Sequence, residues 1–148
     1  MLMQIIWKDI EGYEGLYQVG SNGLVKSLER VVTNKRGEYL VSEKLLKIHP
    51  NPLGYMRVGL FKDGKRKYHG LHRLVAKAFI DNPYDLPEVN HINGIKSCNI
   101  VDNLEWVTKS QNVIHFHNHL RKNRNDTPIK DTPREDLNHD TDSRINHK

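Results

Sequence analysis

A single cysteine, Cys98, stands among 148 residues, which excludes a disulfide framework and a cysteine-built zinc ribbon or finger. Any metal site has to draw on His, Asn, Asp or Glu, and no structural zinc is expected. Apolar material is scarce too. The hydrophobic residues make up 36% and mean hydropathy is -0.71, so one modest core can form and a large α/β enzyme is excluded. No run approaches the roughly eighteen apolar residues of a membrane span. The apolar opening from Met1 to Trp7 is broken by Gln4 and stopped by Lys8-Asp9, short of a secretory signal. The expectation is a soluble, cytoplasmic protein with no membrane partner.

Charge is plentiful and unevenly placed. Lys and Arg total 23 against 18 Asp and Glu, a formal net charge of +5. Residues 25–77 hold thirteen Lys or Arg and four Asp or Glu, a net of +9, and form a candidate electrostatic footprint for a polyanion. Residues 121–148 carry three apolar side chains apart from prolines, Ile129, Leu137 and Ile145. That is too few to offset the entropy of ordering, so a disordered polar tail is expected there.

Short apolar runs separated by turn residues predict a β-rich first part. Gly15-Leu16-Tyr17-Gln18-Val19 and Leu24-Val25-Lys26-Ser27-Leu28 flank Gly20-Ser21-Asn22-Gly23, which reads as a hairpin. Asn34-Lys35-Arg36-Gly37 marks a second turn, and residues 44–48 a further strand before Pro50 and Pro52 break the pattern. A second ribbon follows: Tyr55 to Leu60 alternates in period two, Asp63-Gly64 supplies a type I′ turn, and Lys65-Arg66-Lys67-Tyr68-His69 returns. Such a two-stranded ribbon fits a DNA groove, with cations along it to meet phosphates. Arg57, Lys62, Lys65, Arg66 and Lys67 lie on it, and Lys26, Arg30 and Arg73 in neighbouring segments. An RNA-binding module would want a tract of exposed aromatics for base stacking, and aromatics are only 7%.

The period then changes. Leu71, Leu74, Val75, Ala78 and Phe79 trace the apolar stripe of a core-facing helix, stopped by Asp81-Asn82-Pro83. His72, Arg73 and Lys77 fall off that stripe and are free to face a partner. Further on, Val89 to Ile92 reads as a strand closed by Asn93-Gly94, and Leu104-Glu105-Trp106-Val107 as a second strand. Thr108 and Gln111 have the spacing of a capping box, which starts a helix at Lys109. On this ββα unit Val113, Phe116 and Leu120 are expected to pack on the hairpin, with Trp106 and Phe116 in the core. Asn112, His115 and His119 share another side of the helix, while His117 should be solvated.

The strings Val89-Asn90-His91-Ile92-Asn93-Gly94 and Asp102-Asn103-Leu104-Glu105-Trp106-Val107-Thr108 resemble the HNH endonucleases, most closely the zinc-free type of bacteriophage intron-encoded homing endonucleases. His72-Arg73-Leu74-Val75-Ala76-Lys77-Ala78-Phe79 looks like the helix leading into those domains. At the N-terminus, Trp7-Lys8-Asp9-Ile10, Gly15-Leu16-Tyr17-Gln18-Val19, Ser21-Asn22-Gly23 and Val25-Lys26-Ser27-Leu28 are similar to the nuclease-associated modular DNA-binding domain. The resemblance covers residues 6–120. It implies an α+β fold: an antiparallel β-rich DNA-binding region (residues 1–50), an HNH domain with a ββα-metal core (51–120), and the tail (121–148).

The resemblance also implies roles. His91 is the general base that takes a proton from the attacking water, and Asn103 orients its imidazole. Asn90 and Asn112 hold Mg²⁺ or Mn²⁺, with His115 or Asp102 as alternative ligands. Double-stranded DNA is the substrate, the products are a 5′ phosphate and a 3′ hydroxyl, and a monomer or weak dimer with one site nicks one strand. Asn90 stands where the family often has Asp or His, so metal binding without DNA should be weak. The rival reading is a DNA-binding protein or phage regulator that kept the fold without cleaving.

Overall fold

The computed structural model describes residues 4–126. Strands β1 (Trp7–Asp9), β2 (Tyr17–Gly20), β3 (Val25–Ser27) and β6 (Lys44–Leu45) form a four-stranded antiparallel sheet in the order β1-β2-β3-β6. Between β3 and β6 the chain makes a separate hairpin of β4 (Arg30–Asn34) and β5 (Gly37–Val41), turning at the expected residues 34–37. A three-stranded sheet follows, with β7 (His49–Pro50) at one edge, β8 (Met56–Lys62) in the centre and β9 (Lys65–Gly70) at the other. Asp63 and Gly64 both take positive φ, 50° and 77°, which is the type I′ geometry that an Asp-Gly pair predicts.

Pro50 was expected to interrupt strand structure, yet it sits within β7. It is tolerated there because β7 is an edge strand with a single neighbour, so no second ladder asks for the missing N–H. The next element, α1 (Leu71–Phe79), buries Leu71, Leu74, Val75 and Ala76. A final hairpin pairs β10 (Glu88–His91) with β11 (Leu104–Val107), joined through a 3₁₀ turn at Val101–Asn103. Helix α2 (Lys109–Asp126) completes the ββα unit. Its capping box is formed as expected: the Thr108 N–H donates to Gln111 Oε1 at 2.9 Å, and the Gln111 N–H to Thr108 Oγ1 at 3.1 Å. No helix among the described residues is long and apolar enough to cross a membrane.

One core joins the first sheet, the three-stranded sheet, α1 and the last hairpin. Ile10, Tyr17, Val19 and Val25 of the N-terminal region pack with Val58 and Leu60 of β8, with α1, and with Val89 and Leu104 of the last hairpin. Each such burial contributes about 1.5–3 kcal/mol. The boundary expected at residue 50 therefore falls inside a sheet and a shared core, because β7 pairs with β8 across it.

Two other expectations change. Helix α2 continues to Asp126, so residues 121–126 extend it where a tail was expected. The remainder of the expected tail, residues 127–148, lies outside the described residues. Val113, Phe116 and Leu120 stay 55%, 56% and 40% exposed, not buried on the hairpin. The hairpin has only two strands, its inner face is taken up by α1, and the face toward α2 carries Glu88, Asn90 and Glu105.

The N-terminal turn also touches the ββα unit. Gly23 has φ +80°, and a Cβ there would lie 2.7 Å from the Asn99 carbonyl oxygen. The neighbouring Ser21 carbonyl accepts the Val101 N–H at 3.1 Å. Replacing Gly23 by Ala combines a left-handed backbone with a clash against a carbonyl. The expected cost is about 1–3 kcal/mol of stability, read as a lower urea midpoint with an unchanged m-value.

Candidate active site

The residues of the ββα unit converge on one open cleft of about 640 Å³, lined by Asn90, His91, Lys96, Asn112, His115 and Tyr55 among others. Strand alternation sorts them. Asn90 and Glu88, two apart on β10, share a face with Glu105, which pairs opposite Asn90 on β11. His91 points the other way, toward α1, and is 5% exposed.

The ring of His91 is fixed by an amide. Its Nε2 lies 2.8 Å from Asn99 Oδ1, while the Asn99 NH₂ donates to the Lys96 carbonyl at 3.4 Å. An amide oxygen can only accept, so Nε2 carries the proton and Nδ1 is left as the basic nitrogen. Asn103, expected to orient this ring, does something else. Its Oδ1 accepts the Asn93 N–H at 3.0 Å, and its NH₂ donates to Asn93 Oδ1 at 3.0 Å and to the Cys98 carbonyl at 2.8 Å. All three of its side-chain hydrogen bonds go into the loop that carries Asn99, so the contact with the His91 ring is made by Asn99 and Asn103 holds the loop.

Behind His91 stand His72 and Tyr55, with ring centroids 5.3 and 6.1 Å away. His72 was expected to face a partner; it is turned inward because the stacked aromatic rings give its imidazole an apolar bed. Its Nδ1 is buried without a hydrogen bond among the described residues. Burial pushes the His72 pKa down to about 4, with the neighbouring His91 and Arg73 adding to the effect. His91 is also held below its usual value, first by burial and then by the Lys96 charge, with the Asn99 hydrogen bond opposing. Both rings are neutral at pH 7.

The two asparagines expected to hold a metal are each oriented by a carboxylate. The Asn90 NH₂ donates to Glu105 Oε1 at 2.9 Å, and the Asn112 NH₂ to Glu88 Oε2 at 2.6 Å. Since a carboxylate only accepts, each amide must present its nitrogen to the glutamate and keep Oδ1 for another partner. Two neutral oxygens backed by two negative charges make a donor set that suits a hard divalent cation. Among the described residues no group of three or more His, Cys, Asp or Glu could hold a metal ion, and Asn90 and Asn112 both line the cleft. The alternatives are placed differently. Asp102 is exposed on the 3₁₀ turn and does not line the cleft. His115 Nε2 is turned to the Ile92 carbonyl at 3.0 Å.

The cations divide into two sets. Lys65, Arg66 and Lys67 stand exposed on β9 near the tip of the ribbon, beside the exposed rings of Phe61 and Tyr68. The others are engaged within the fold. Arg30 Nη1 donates to Ser27 Oγ and to the Leu16 and Leu28 carbonyls. Lys26 pairs with Glu43 at 3.2 Å, and Lys62 Nζ donates to the Gly12 carbonyl. Arg73 donates to the Pro87 carbonyl and lies 5.7 Å from the Trp106 ring centroid. Arg57 lies over Tyr68 at 4.9 Å.

Sequence reasoning missed Asn99, His72, Glu88 and Glu105 as parts of the site. The glutamates were traceable from period-two alternation and hairpin register. Asn99 sits in an irregular loop where nothing local separates it from Asn93 or Asn103.

A ββα unit with a buried histidine, paired amide oxygens and a basic ribbon defines the class of HNH nucleases, and the family comparison agrees. Residues 69–114 match the HNH endonuclease family and residues 6–61 the NUMOD4 motif, so the chain carries an HNH endonuclease domain preceded by a NUMOD4 motif. It is 43% identical over 107 residues to the DNA endonuclease I-HmuI of Bacillus phage SP01, covering 72% of this chain and 55% of that protein. Over 105 residues it is 37% identical to an uncharacterized HNH endonuclease, L245, of Acanthamoeba polyphaga mimivirus, covering 71% of this chain and 30% of that one. A solved structure of the HNH homing endonuclease I-HmuI superposes with a TM-score of 0.61 at 41% identity, covering 80% of this chain and 59% of that one. The chain thus spans about half the length, or less, of these curated relatives.

The lowered pKa of His72 has a consequence for stability. The folded state resists protonating this ring, so the unfolded chain binds more protons between pH 6.5 and about 4. Stability is expected to fall as pH drops through that window and to level off below it. Urea titrations at pH 7, 5.5 and 4 check this, with His72→Phe flattening the dependence.

Proposed function

We propose that this chain is a metal-dependent DNA endonuclease of the homing type that hydrolyses a phosphodiester bond in double-stranded DNA. The observation that carries the reading is the juxtaposition, in one cleft, of a neutral His91 with Nδ1 free and two asparagine oxygens held outward by Glu88 and Glu105. The relative I-HmuI, a DNA endonuclease whose solved structure concerns DNA binding and cleavage, supports the same activity.

His91 Nδ1 takes the proton of a water as its oxygen attacks phosphorus; the bond to the 3′ oxygen breaks, that oxygen takes a proton from solvent, and a 5′ phosphate and a 3′ hydroxyl are left. Asn99 keeps the imidazole in the productive tautomer as it becomes cationic, because Nε2–H still points at an acceptor. Asn90 and Asn112 would hold Mg²⁺ or Mn²⁺ through Oδ1, and such an ion supplies positive charge for the scissile phosphate and the departing oxygen. With neutral ligands this site would hold an ion weakly until the phosphates of DNA add their negative charge. Lys65, Arg66 and Lys67 meet backbone phosphates along the ribbon. One base in one cleft cuts one strand, so a monomer nicks, and the reaction takes place in the cytoplasm where the DNA is.

Supercoiled DNA containing a cleavage site, selected from a library of random sites, should become open circles with Mg²⁺ or Mn²⁺ and not with EDTA. His91→Ala should lose at least about a hundredfold in rate while still retarding DNA on a gel. Linear product would overturn the nicking step, and retarded DNA without any cut would favour the non-cleaving binder. Because the His91 pKa lies below its ordinary 6.5, the base form persists to lower pH. The acid limb of the single-turnover rate should therefore fall below pH 6.5, and Asn99→Ala, which removes the interaction that raises this pKa, should shift the limb lower still. Changing Lys65, Arg66 and Lys67 together to Ala should flatten the dependence of log K on log salt by about 0.9 for each phosphate that is no longer neutralised.

A further inference from the structure

One turn beyond Asn112 on α2, two histidines point at the same place. His115 Nε2 and His119 Nε2 are 3.2 Å apart, and the Ile92 carbonyl oxygen lies 3.0 Å from the first and 3.3 Å from the second. Three electron-rich atoms at the corners of a nearly equilateral triangle are poorly served by protons alone. If both Nε2 atoms carried hydrogens, the two N–H groups would crowd onto the one Ile92 carbonyl oxygen; if one did, a single proton would have to serve two acceptors.

A metal ion resolves the arrangement. Nitrogen and oxygen ligands sit about 2.0–2.1 Å from Zn²⁺, which puts neighbouring donors about 2.9 Å apart at right angles and about 3.3 Å apart at tetrahedral angles. All three observed separations fall in that interval. The spacing of four residues on a helix stacks the two rings on one side, and their centroids are 4.3 Å apart. Gly94 completes the cradle: a Cβ at that turn would lie 3.2 Å from His119 Nδ1, so the absent side chain is what lets the ring settle over the hairpin.

We infer that His115, His119 and the Ile92 carbonyl form a second cation site, distinct from the Asn90 and Asn112 pair, that takes a borderline divalent transition-metal ion such as Zn²⁺. Imidazole nitrogen favours Zn²⁺, Ni²⁺ and Cu²⁺, whereas amide and phosphate oxygens favour Mg²⁺ and Mn²⁺, so the two sites select different ions. The second site bridges α2 to the turn after β10. That is where a clip is useful, since Val113, Phe116 and Leu120 leave much of their surface uncovered and apolar burial holds the helix only loosely.

Isothermal titration of the full chain with Zn²⁺ alone tests the inference without any DNA cleavage. One equivalent should bind in the micromolar range, an excess of Mg²⁺ should not displace it, and the melting temperature should rise with Zn²⁺ concentration as mass action requires. His115→Ala, His119→Ala and His119→Gln should each weaken binding by about tenfold or more, with unchanged far-ultraviolet circular dichroism. His117→Ala, Asn112→Ala and a variant with His139 and His147 both changed to Ala should bind as the parent does. Absence of binding up to about 1 mM Zn²⁺, or full binding by the His115→Ala/His119→Ala double variant, would overturn it. Neither result depends on whether the chain cuts DNA.

Discussion

The cleft depends on the buried amide of Asn103, which makes three side-chain hydrogen bonds within the loop between β10 and β11. Its side chain ties Asn93 and Cys98 together, its carbonyl accepts the Ile92 N–H at 2.8 Å and its own N–H reaches the Ile100 carbonyl. Twelve residues that could wander are closed into a fixed shape, residues 92–103. Buried polar groups left unmatched cost free energy, so the loop has one arrangement that satisfies them all. That arrangement puts Asn99 within reach of His91. The precision of the imidazole is thus inherited, at one remove, from an asparagine that never touches it.

The same economy bears on how the proposed metal site can work with neutral ligands. Asparagine oxygens are weak donors compared with carboxylates, and the ligands alone would suggest a site that has lost its charge. The charge lies one bond further out, on Glu88 and Glu105, where it polarises each amide through a hydrogen bond and fixes which end faces the cleft. A hairpin register that pairs Asn90 with Glu105 is sufficient to produce this arrangement.

Much of this was legible in the sequence, and the parts that were not share a physical cause. The α+β architecture, both ribbons, α1 and the capping box follow from periodicity, turn chemistry and motif. Pro50 in a strand, the extension of α2 to Asp126 and the exposure of Phe116 did not, because each depends on which neighbours an element has, not on its own composition. Arg30, Lys26, Lys62 and Arg73 counted as free cations until the structure showed carbonyls, a carboxylate and aromatic faces already occupying them. Asn99 was hidden for the opposite reason: an irregular loop has no period from which direction can be read.

The contact between Gly23 and the Asn99 backbone bears on how such proteins can be recombined. Two sequence families meet in this chain, and their names suggest cassettes that could be exchanged like beads on a thread. Here a turn from one is pressed against the loop that orients the His91 imidazole of the other, at a distance that admits no side chain. A graft that keeps both folds but offers a bulkier turn would push that loop and misalign the ring. Inheritance of the two parts is therefore joint at that seam, however interchangeable they look along the chain.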